Sequence, residues 1–329
     1  MAVNAAAAPR ILMSGSPRIL LLRRDNIGDL VCTTPLLDAL RAQLPRAWLA
    51  ALVTTYNAEV LARNPALDEI FVYEKSKHRS GGLIAHFTSR IGQMTRLRRR
   101  KFDCVLVPGP SPQSLKIARS LKPGRVLAAP AIVAAGMHEV ERCFATGKAL
   151  GVSGRPGPMR VFPDPATKEQ LRRKIGDGPF AAVHISARRP AQRWPLVRYA
   201  ELIAQLSART KVILLWAPGA KDNPRHPGDD EAAAELLRVS GNTALVPVPT
   251  PDLKTLIAAL SLADRVVCPD GGAMHLAAAL GKPVVALFGD SPVTRWRPWS
   301  GAYRVVQPQS RDLAGLPLEP VLDAFQALA

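Results

Sequence analysis

The sequence has no apolar run of the roughly 18 residues that a membrane-spanning helix needs. Its longest apolar runs, such as Pro283–Gly289, have the length of a strand. Cysteine is scarce, and no Cys-x-x-Cys pair occurs among Cys32, Cys104, Cys143 and Cys268. This spacing indicates a reducing compartment and argues against a disulfide framework or a cysteine-ligated zinc site.

Acidic side chains are also few: 26 stand against 44 basic ones, for a net charge of +18 over 329 residues. Such a balance calls for an acidic partner, and nucleic acid, an anionic membrane and a phosphorylated substrate all fit it. The apolar fraction of 47% excludes extended disorder for most of the chain. Residues 1–17 lack a basic start followed by an apolar core, so we expect a disordered leader there.

Short apolar strands alternate with helical patterns along the rest of the chain. Several strands are nearly continuous runs of Val, Ile, Leu and Ala, which is typical of parallel strands covered on both faces. The alternation predicts doubly wound parallel sheets of the α/β class. Gly and Pro are dense around 151–165 and 176–179, so we expect domains over 18–155 and 179–329 with a linker over 156–178. The last helix, near Pro317–Leu328, could pack back on the first domain.

A polar turn, Arg23–Gly28, joins the first strand to a predicted helix over Asp29–Leu44. Asp29 falls at the start of this helix, where an aspartate most often only caps the backbone. Alternatively, Asp29 is a carboxylate at the carboxyl end of a strand, kept ionised by the positive end of the helix and able to act as a base. The turn lacks the Gly-x-Gly-x-x-Gly pattern, which disfavours a dinucleotide-binding dehydrogenase.

A second informative turn follows the strand that ends at Cys268. Asp270, Gly271 and Gly272 are small or polar, and a helix is predicted to start near Ala273. Free amides at such a turn form an anion site, which a diphosphate can approach closely over glycine. Asp270 either caps this helix or accepts a hydrogen bond from a sugar hydroxyl. His275 is either a core residue or a phosphate donor.

Four segments together resemble glycosyltransferase family 9, the ADP-heptose:lipopolysaccharide heptosyltransferases. The first two match the family's Gly-Asp turn with its Thr-Pro helix and its Asn-Pro…Asp-Glu-Ile segment, and they lie at Arg23–Pro35 and Asn64–Ile70. The third, a strand, polar loop and Trp-Pro, lies at His184–Pro195. The fourth matches the family's late motifs at Asp270–His275, Ala278–Pro283 and Leu287–Gly289. The matches run in order from about residue 18 to residue 300.

The resemblance implies a GT-B fold, with two Rossmann-like domains facing across a cleft, the first for the acceptor and the second for the nucleotide sugar. It implies inverting, metal-independent transfer of heptose from ADP-heptose to a lipopolysaccharide core acceptor, without a cofactor. Asp29 matches the family's general base. The residues that the resemblance assigns to the donor are Ser186, Gln192, Arg193, Asp270, Gly271, Gly272, Ala273, Met274 and His275.

Two positions depart from the family pattern. Asp25-Asn26 stands where the core heptosyltransferases usually have Ser-Ser, and Gln192 stands where lysine is common, although the adjacent Arg193 could supply the charge. These departures keep one alternative open, the same fold with another nucleotide sugar or a different acceptor. A separate alternative is a non-catalytic, membrane-associated binding protein, against which the retained Asp29, Asp270 and glycine turn argue.

A basic segment between Lys75 and Lys101 carries nine basic residues and no acidic one. Its apolar residues recur at helical spacing, so it is either a packed surface helix with a solvated basic end or a contact for anionic lipid or a phosphorylated glycolipid. The resemblance favours the second use, at the cytoplasmic face of the inner membrane. Nucleic acid is disfavoured because no aromatic platform or recognisable module accompanies the charge. The expected acceptor or membrane contacts are Arg23, Lys75, Lys77, Arg79, Arg96 and Arg98.

Overall fold

The computed structural model describes residues 15–73, 92, 94–129, 136–223, 227–241, 244–299 and 301–328. The chain divides into two compact units, Met1–Gly157 and Pro158–Ala329. Each unit is built around its own sheet, and every strand pair in the described ranges is parallel. The α/β class predicted from the alternating pattern is therefore confirmed.

The first domain contains five described strands in the order β3-β2-β1-β4-β5. In chain order these are β1 (Arg18–Leu22), β2 (Trp48–Thr54), β3 (Glu69–Tyr73), β4 (Cys104–Val107) and β5 (Arg125–Ala128). The helices in the described part of this domain include α1 (Ile27–Val31), α2 (Thr34–Gln43), α3 (Pro112–Ser120) and α4 (Glu139–Ala145). The chain winds outward from β1 in one direction and from β4 in the other. The switch point of this sheet therefore lies between β1 and β4, where ligands of open α/β sheets bind.

The helix predicted over Asp29–Leu44 is in fact two helices. α1 ends at Val31, and α2 begins at Thr34 with Pro35 in its first turn, where a missing N–H costs nothing. The Thr33 hydroxyl donates to the Asp29 carbonyl (2.9 Å) and that of Thr34 to the Val31 carbonyl (2.8 Å). Because these hydroxyls satisfy carbonyls at the end of α1, the short helix can stop after little more than one turn.

The second domain has the strand order β11-β10-β9-β6-β7-β8. Its strands are β6 (Phe180–His184), β7 (Lys211–Trp216), β8 (Leu245–Pro249), β9 (Arg265–Pro269), β10 (Val284–Leu287) and β11 (Tyr303–Val306). Its described helices are α5 (Pro165–Ile175), α6 (Leu196–Ser207), α7 (Asp230–Ser240), α8 (Leu253–Leu262), α9 (Gly272–Ala279), α10 (Val293–Trp296) and α11 (Glu319–Gln326). The winding reverses between β6 and β9, which is the switch point of this sheet.

Two expectations about the domain ends need correction. The segment 156–178 is not simply a linker, because it contains α5, whose N-cap Asp164 accepts a hydrogen bond from Thr167 N at 2.9 Å. Leu171 and Ile175 are buried one turn apart, and α5 packs against α8. The last helix, α11, packs on β10 and β11, and its Phe325 lies in the core of the second domain. Its apolar face is therefore used by its own domain.

Within the described ranges, no helix combines the length and the apolar character needed to cross a bilayer. The four cysteines are free thiols, and all of them are buried. Burial raises the pKa of Cys104 to about 12, which leaves it a small apolar side chain at neutral pH.

Candidate active site

Asp29 lies in the first turn of α1, just beyond the carboxyl end of β1. Its Oδ2 accepts hydrogen bonds from the backbone N–H of Asn26 (3.2 Å) and from Asn26 Nδ2 (2.9 Å). Its Oδ1 accepts one from Arg23 Nη2 (2.9 Å). The bond from the Asn26 N–H is that of a capping box, whereas the bonds from Asn26 Nδ2 and Arg23 Nη2 are not needed for capping. The Asp29 side chain is 14% exposed, so part of it reaches solvent.

Arg23 is buried, so the expectation that it contacts an acceptor or a membrane is wrong. Its Nη2 donates to Asp29 Oδ1 and to Glu139 Oε1, both at 2.9 Å, and its Nε lies 3.3 Å from Asp25 Oδ2. Burial alone would lower the pKa of Arg23, but its negative neighbours, among them the carboxylates of Asp25, Asp29 and Glu139, outweigh burial and raise that pKa. The guanidinium is thus a permanent positive charge held inside the domain by carboxylates.

Two residues of this cluster, Glu139 and Gly109, are not predicted from the sequence. Glu139 is the first residue of α4 and is fully buried, and it also accepts a hydrogen bond from Arg142 Nη1 at 3.2 Å. Gly109 follows β4, and a methyl group there would lie 2.9 Å from Arg23 Nη1 and overlap Asp25 Oδ2. A glycine just after a strand at the switch point is a signal that could have been found. Glu139 gives no such signal, because an acidic residue in a first helical turn looks like ordinary dipole compensation.

The second cluster lies at the switch point of the other sheet. Asp270 follows β9 directly, and Gln192 lies in the loop after β6. Gln192 Nε2 donates to Asp270 Oδ2 (2.8 Å) and to Ser291 Oγ (3.1 Å). Arg189 donates to the same Ser291 hydroxyl and pairs with Asp290 at 3.1 Å. Burial raises the pKa of Asp270, and its hydrogen bonds with Ser291 and Gln192 and the charge of Arg189 only partly offset this effect.

The turn after β10 is held against the loop of Gln192. A methyl group at Gly289 would overlap the carbonyl oxygen of Ala191 and lie 2.7 Å from its carbon. Gln307 Nε2 donates to the carbonyls of Gly289 (2.7 Å) and Ser291 (3.2 Å). These contacts hold Ser291 in place, and therefore also its hydroxyl, which accepts hydrogen bonds from both Gln192 and Arg189.

Helix α9 begins at Gly272 with Gly271 as its N-cap. The side chains of Ala273, Met274 and His275 are buried. The groups of this turn that a ligand could bind are therefore its backbone amides. The His275 ring lies edge-on to Trp296 with 6.1 Å between the ring centroids. Of the two uses left open for His275, the structure therefore favours a place in the core.

Ser186 and Arg193 are engaged within the second domain. The Ser186 hydroxyl accepts a hydrogen bond from Ala217 N, in the loop after β7, at 2.9 Å. Arg193 Nη1 lies 2.6 Å from Oδ1 of Asp229, whose side chain is only 4% exposed. The Arg193 side chain is 33% exposed, so the guanidinium keeps an edge for a further anion while it neutralises Asp229.

One matching segment is structural. In Asn64–Ile70, the Asn64 side chain accepts a hydrogen bond from Ala66 N (2.9 Å), which makes a local turn. Asp68 Oδ2 accepts from Leu49 N and pairs with Arg41 Nη2, both at 2.7 Å. These bonds hold the connection into β3, so this motif supports the sheet.

Arg96 and Arg98 lie in a helical stretch over residues 94–99, in which Leu97 is buried and both arginines are exposed. Arg98 Nε donates to the Ser120 carbonyl (2.7 Å). An open basic groove here is lined by Arg18, Gly92, Thr95, Arg96, Arg99 and Arg100. Arg18 begins β1, whereas Asp29 lies beyond the carboxyl end of that strand. The basic groove therefore lies at the amino ends of the strands of the first sheet, and Asp29 lies at their carboxyl ends. Lys75, Lys77 and Arg79 lie outside the described residues.

No group of three or more His, Cys, Asp or Glu side chains that could hold a metal ion occurs in the described parts of the chain. The carboxylates at the two switch points are paired with arginine or with amide donors instead. Asp229, in the loop after β7, pairs with Arg193, and Asp230, the first residue of α7, accepts a hydrogen bond from Trp216 Nε1 (2.7 Å).

Two parallel α/β domains, each with polar residues at its switch point, define a protein of the GT-B type. Residues 126–314 match the sequence model of glycosyltransferase family 9 (heptosyltransferase). This match spans more than half of the chain, so the chain belongs to glycosyltransferase family 9 and is a glycosyltransferase.

Relatives and solved structures agree with this membership. Lipopolysaccharide heptosyltransferase 3 of Escherichia coli is 24% identical, over 83% of this chain and 84% of that protein. A family 9 glycosyltransferase structure from Veillonella parvula superposes with a TM-score of 0.81 at 18% identity, over 95% of this chain and 97% of that one. The E. coli heptosyltransferase WaaC with ADP gives 0.78 at 19% identity, over 95% and 100%. WaaC has also been solved with ADP-2-deoxy-2-fluoro heptose.

Proposed function

We propose that this enzyme is an inverting heptosyltransferase that moves heptose from ADP-heptose to a lipopolysaccharide core acceptor, with Asp29 as general base. The observation that carries the proposal is the placement of Asp29 at the switch point of the first sheet, oriented by Arg23 and Asn26. The similarity to a lipopolysaccharide heptosyltransferase and the ADP-heptose analogue bound by WaaC support the choice of donor and acceptor class.

The hydrogen bonds of Asp29 indicate which oxygen takes the proton. Oδ2 already accepts two hydrogen bonds from Asn26, whereas Oδ1 accepts one from Arg23 among the described residues. As the acceptor hydroxyl attacks the anomeric carbon, its proton would pass to the remaining lone pair of Oδ1. The bond from that carbon to the diphosphate breaks in the same displacement, and ADP leaves with the electron pair.

The second domain would hold the donor. The amides at the start of α9 would face the diphosphate, because the first turn of a helix presents N–H groups that have no partner within the helix. Arg193 and Arg189 would add positive charge where negative charge develops on the leaving group. Asp270, oriented by Gln192, would accept hydrogen bonds from the sugar hydroxyls. In this scheme the leaving group is stabilised without a metal ion.

We further propose that the protein is cytoplasmic and binds the inner membrane peripherally through the basic groove and the exposed Arg96 and Arg98. Each basic side chain near an anionic membrane surface contributes about 1 kcal/mol. Vesicles with and without anionic lipid would test this contact, with binding expected only to the anionic ones and decreasing with salt.

The function is tested by mixing the purified protein with ADP-heptose and a Kdo-lipid A type acceptor in the presence of EDTA. We expect ADP release that depends on the acceptor and persists in the chelator, and a product whose anomeric configuration is inverted. Release with another nucleotide sugar only would change the donor assignment. Tight binding of ADP-heptose without turnover on any acceptor would instead support a binding protein.

A further inference from the structure

A single nitrogen of Arg23 is shared by two carboxylates. Nη2 donates to Asp29 Oδ1 and to Glu139 Oε1 at the same distance of 2.9 Å. Glu139 is fully buried, and it also accepts a hydrogen bond from Arg142 Nη1 at 3.2 Å. A carboxylate buried on α4 is costly to stability unless its charge is compensated, and here Arg23 and Arg142 both pair with Glu139. Because Glu139 and Asp29 accept hydrogen bonds from the same nitrogen of Arg23, the charge of Glu139 acts on the candidate base.

We propose that Glu139 is a positioning residue: it shares Arg23 Nη2 with Asp29, offsets part of the Arg23 charge and holds the guanidinium that orients the Asp29 carboxylate towards the acceptor hydroxyl. This inference rests on the proposed function, in which Asp29 is the base. In a one-to-one pair, Arg23 would stabilise the ionised form of Asp29 strongly and make it a poor proton acceptor. Because Glu139 shares the same nitrogen, it offsets part of that positive charge while the guanidinium still fixes the direction of the Asp29 carboxylate.

The sharing also balances charge after proton transfer. When the acceptor proton reaches Asp29 Oδ1, Asp29 becomes neutral, and Arg23 keeps Glu139 and Asp25 as its counter-charges. No buried charge is left unpaired at this point, which would otherwise add to the barrier. Asp25 thus belongs to the same charge balance.

Other titratable groups face this cluster. From the turn after β1 comes Asp25, and from α4 come Arg142 and Cys143, whose thiol lies 3.6 Å from Arg23 Nη1. Cys32 follows α1. Burial raises the pKa of Cys143 to about 11 and that of Cys32 well above its ordinary value, so both thiols are neutral at working pH. The charged neighbours of Asp29 in this cluster are therefore Arg23, Asp25, Glu139 and Arg142.

The test is the pH dependence of kcat/KM, whose acid limb reports the ionisation of the free enzyme's base. Glu139→Gln keeps the shape of the side chain and removes the charge, so the full charge of Arg23 acts on Asp29. We expect the acid limb to move down by about one pH unit and the plateau rate to fall about three- to tenfold, since a weaker base accepts a proton less readily.

Arg142→Gln should shift the acid limb in the opposite direction. Arg142 donates to Glu139 Oε1 (3.2 Å). Without the positive charge of Arg142, Glu139 offsets more of the Arg23 charge, and Arg23 then stabilises the ionised form of Asp29 less. We expect an upward shift of about half a pH unit or more. This variant also keeps the proposal testable if Glu139→Gln folds poorly. The matched control is Glu141→Gln on the same helix, since Glu141 caps His138 N (2.9 Å) and glutamine serves that role too.

Opposite movements of the acid limb in the first two variants, with none in the control, would support the positioning role. A loss of rate with an unmoved limb in both would overturn it, because a merely structural role predicts that result. Asp29→Asn separates this inference from the proposed function. Full turnover in Asp29→Asn would remove Asp29 as base and the inference with it, whereas loss of turnover there with unmoved limbs refutes only the role of Glu139.

Discussion

His184 is the group whose titration we expect to limit the acid stability of the second domain. It ends β6 and is buried, and among the described residues no hydrogen-bond partner reaches its Nδ1. Burial lowers the pKa of His184 to about 4, although nearby Asp229 acts in the opposite direction. The unfolded chain titrates near pH 6.5, so the unfolded state binds more protons than the folded state between these two values.

Stability is therefore lost as the pH falls from about 6.5 towards 4. At about 1.4 kcal/mol per pKa unit, the full loss from this single side chain is about 3 kcal/mol. His184→Gln removes the titration. We expect the variant to be less stable than the wild type at pH 7, where it loses the packing of the ring, and to lose about 3 kcal/mol less on acidification.

The assay is urea unfolding at several pH values between 7 and 4, followed by tryptophan fluorescence. Four of the five tryptophans lie in the second domain, so the signal reports mainly on that domain. Carboxylates titrate in the same range in both proteins, and only the difference between wild type and variant isolates His184. Equal losses of unfolding free energy in the two proteins would refute the reasoning, since His184 would then not be a buried neutral imidazole.

Two further substitutions test the two clusters. Gly109→Ala places a methyl group against Arg23 and Asp25; we expect a loss of about 1–3 kcal/mol from overpacking, and transfer reduced at least about tenfold because Asp29 loses its fixed partner. Gly157→Ala, with nothing within 4 Å, is the control, and equal stability of the two variants would contradict the overlap. Arg193→Ala leaves the buried Asp229 carboxylate uncompensated, and we expect a loss of about 3 kcal/mol. Arg198→Ala breaks only the exposed pair with Glu201 and should cost less than about 1 kcal/mol; a similar small cost for Arg193→Ala would show that Asp229 finds another partner.

Both switch points could be located from the sequence, because apolar strands followed by polar turns are local patterns. Asp29 and Asp270 each lie directly after such a strand, and the structure places them at the switch points of two separate sheets. Gln192 is placed beside Asp270 because β6 and β9 are neighbours, although 78 residues separate the two side chains in the chain. The family resemblance brought these segments together, whereas spacing alone could not.

What the sequence does not reveal depends on long-range burial. Arg23 reads as one more basic residue in a basic protein, yet it is buried because Glu139, 116 residues further on, pairs with it. In the same way, the Gly and Pro density before residue 179 hides α5, since its amphipathic pattern rests on only two buried side chains, Leu171 and Ile175. Local patterns therefore predict elements and turns, and the pairing of buried charges has to be read from the structure.

The central claim is that Asp29 accepts the proton of the acceptor hydroxyl during heptose transfer. The most direct measurement compares wild type and Asp29→Asn in single-turnover transfer from ADP-heptose, with the affinity for ADP-heptose measured by calorimetry on the same samples. The account predicts transfer slower by about 10²–10⁴-fold with donor affinity unchanged, because Asp29 lies in the first domain and the donor residues lie in the second. Transfer at the wild-type rate by Asp29→Asn would contradict it.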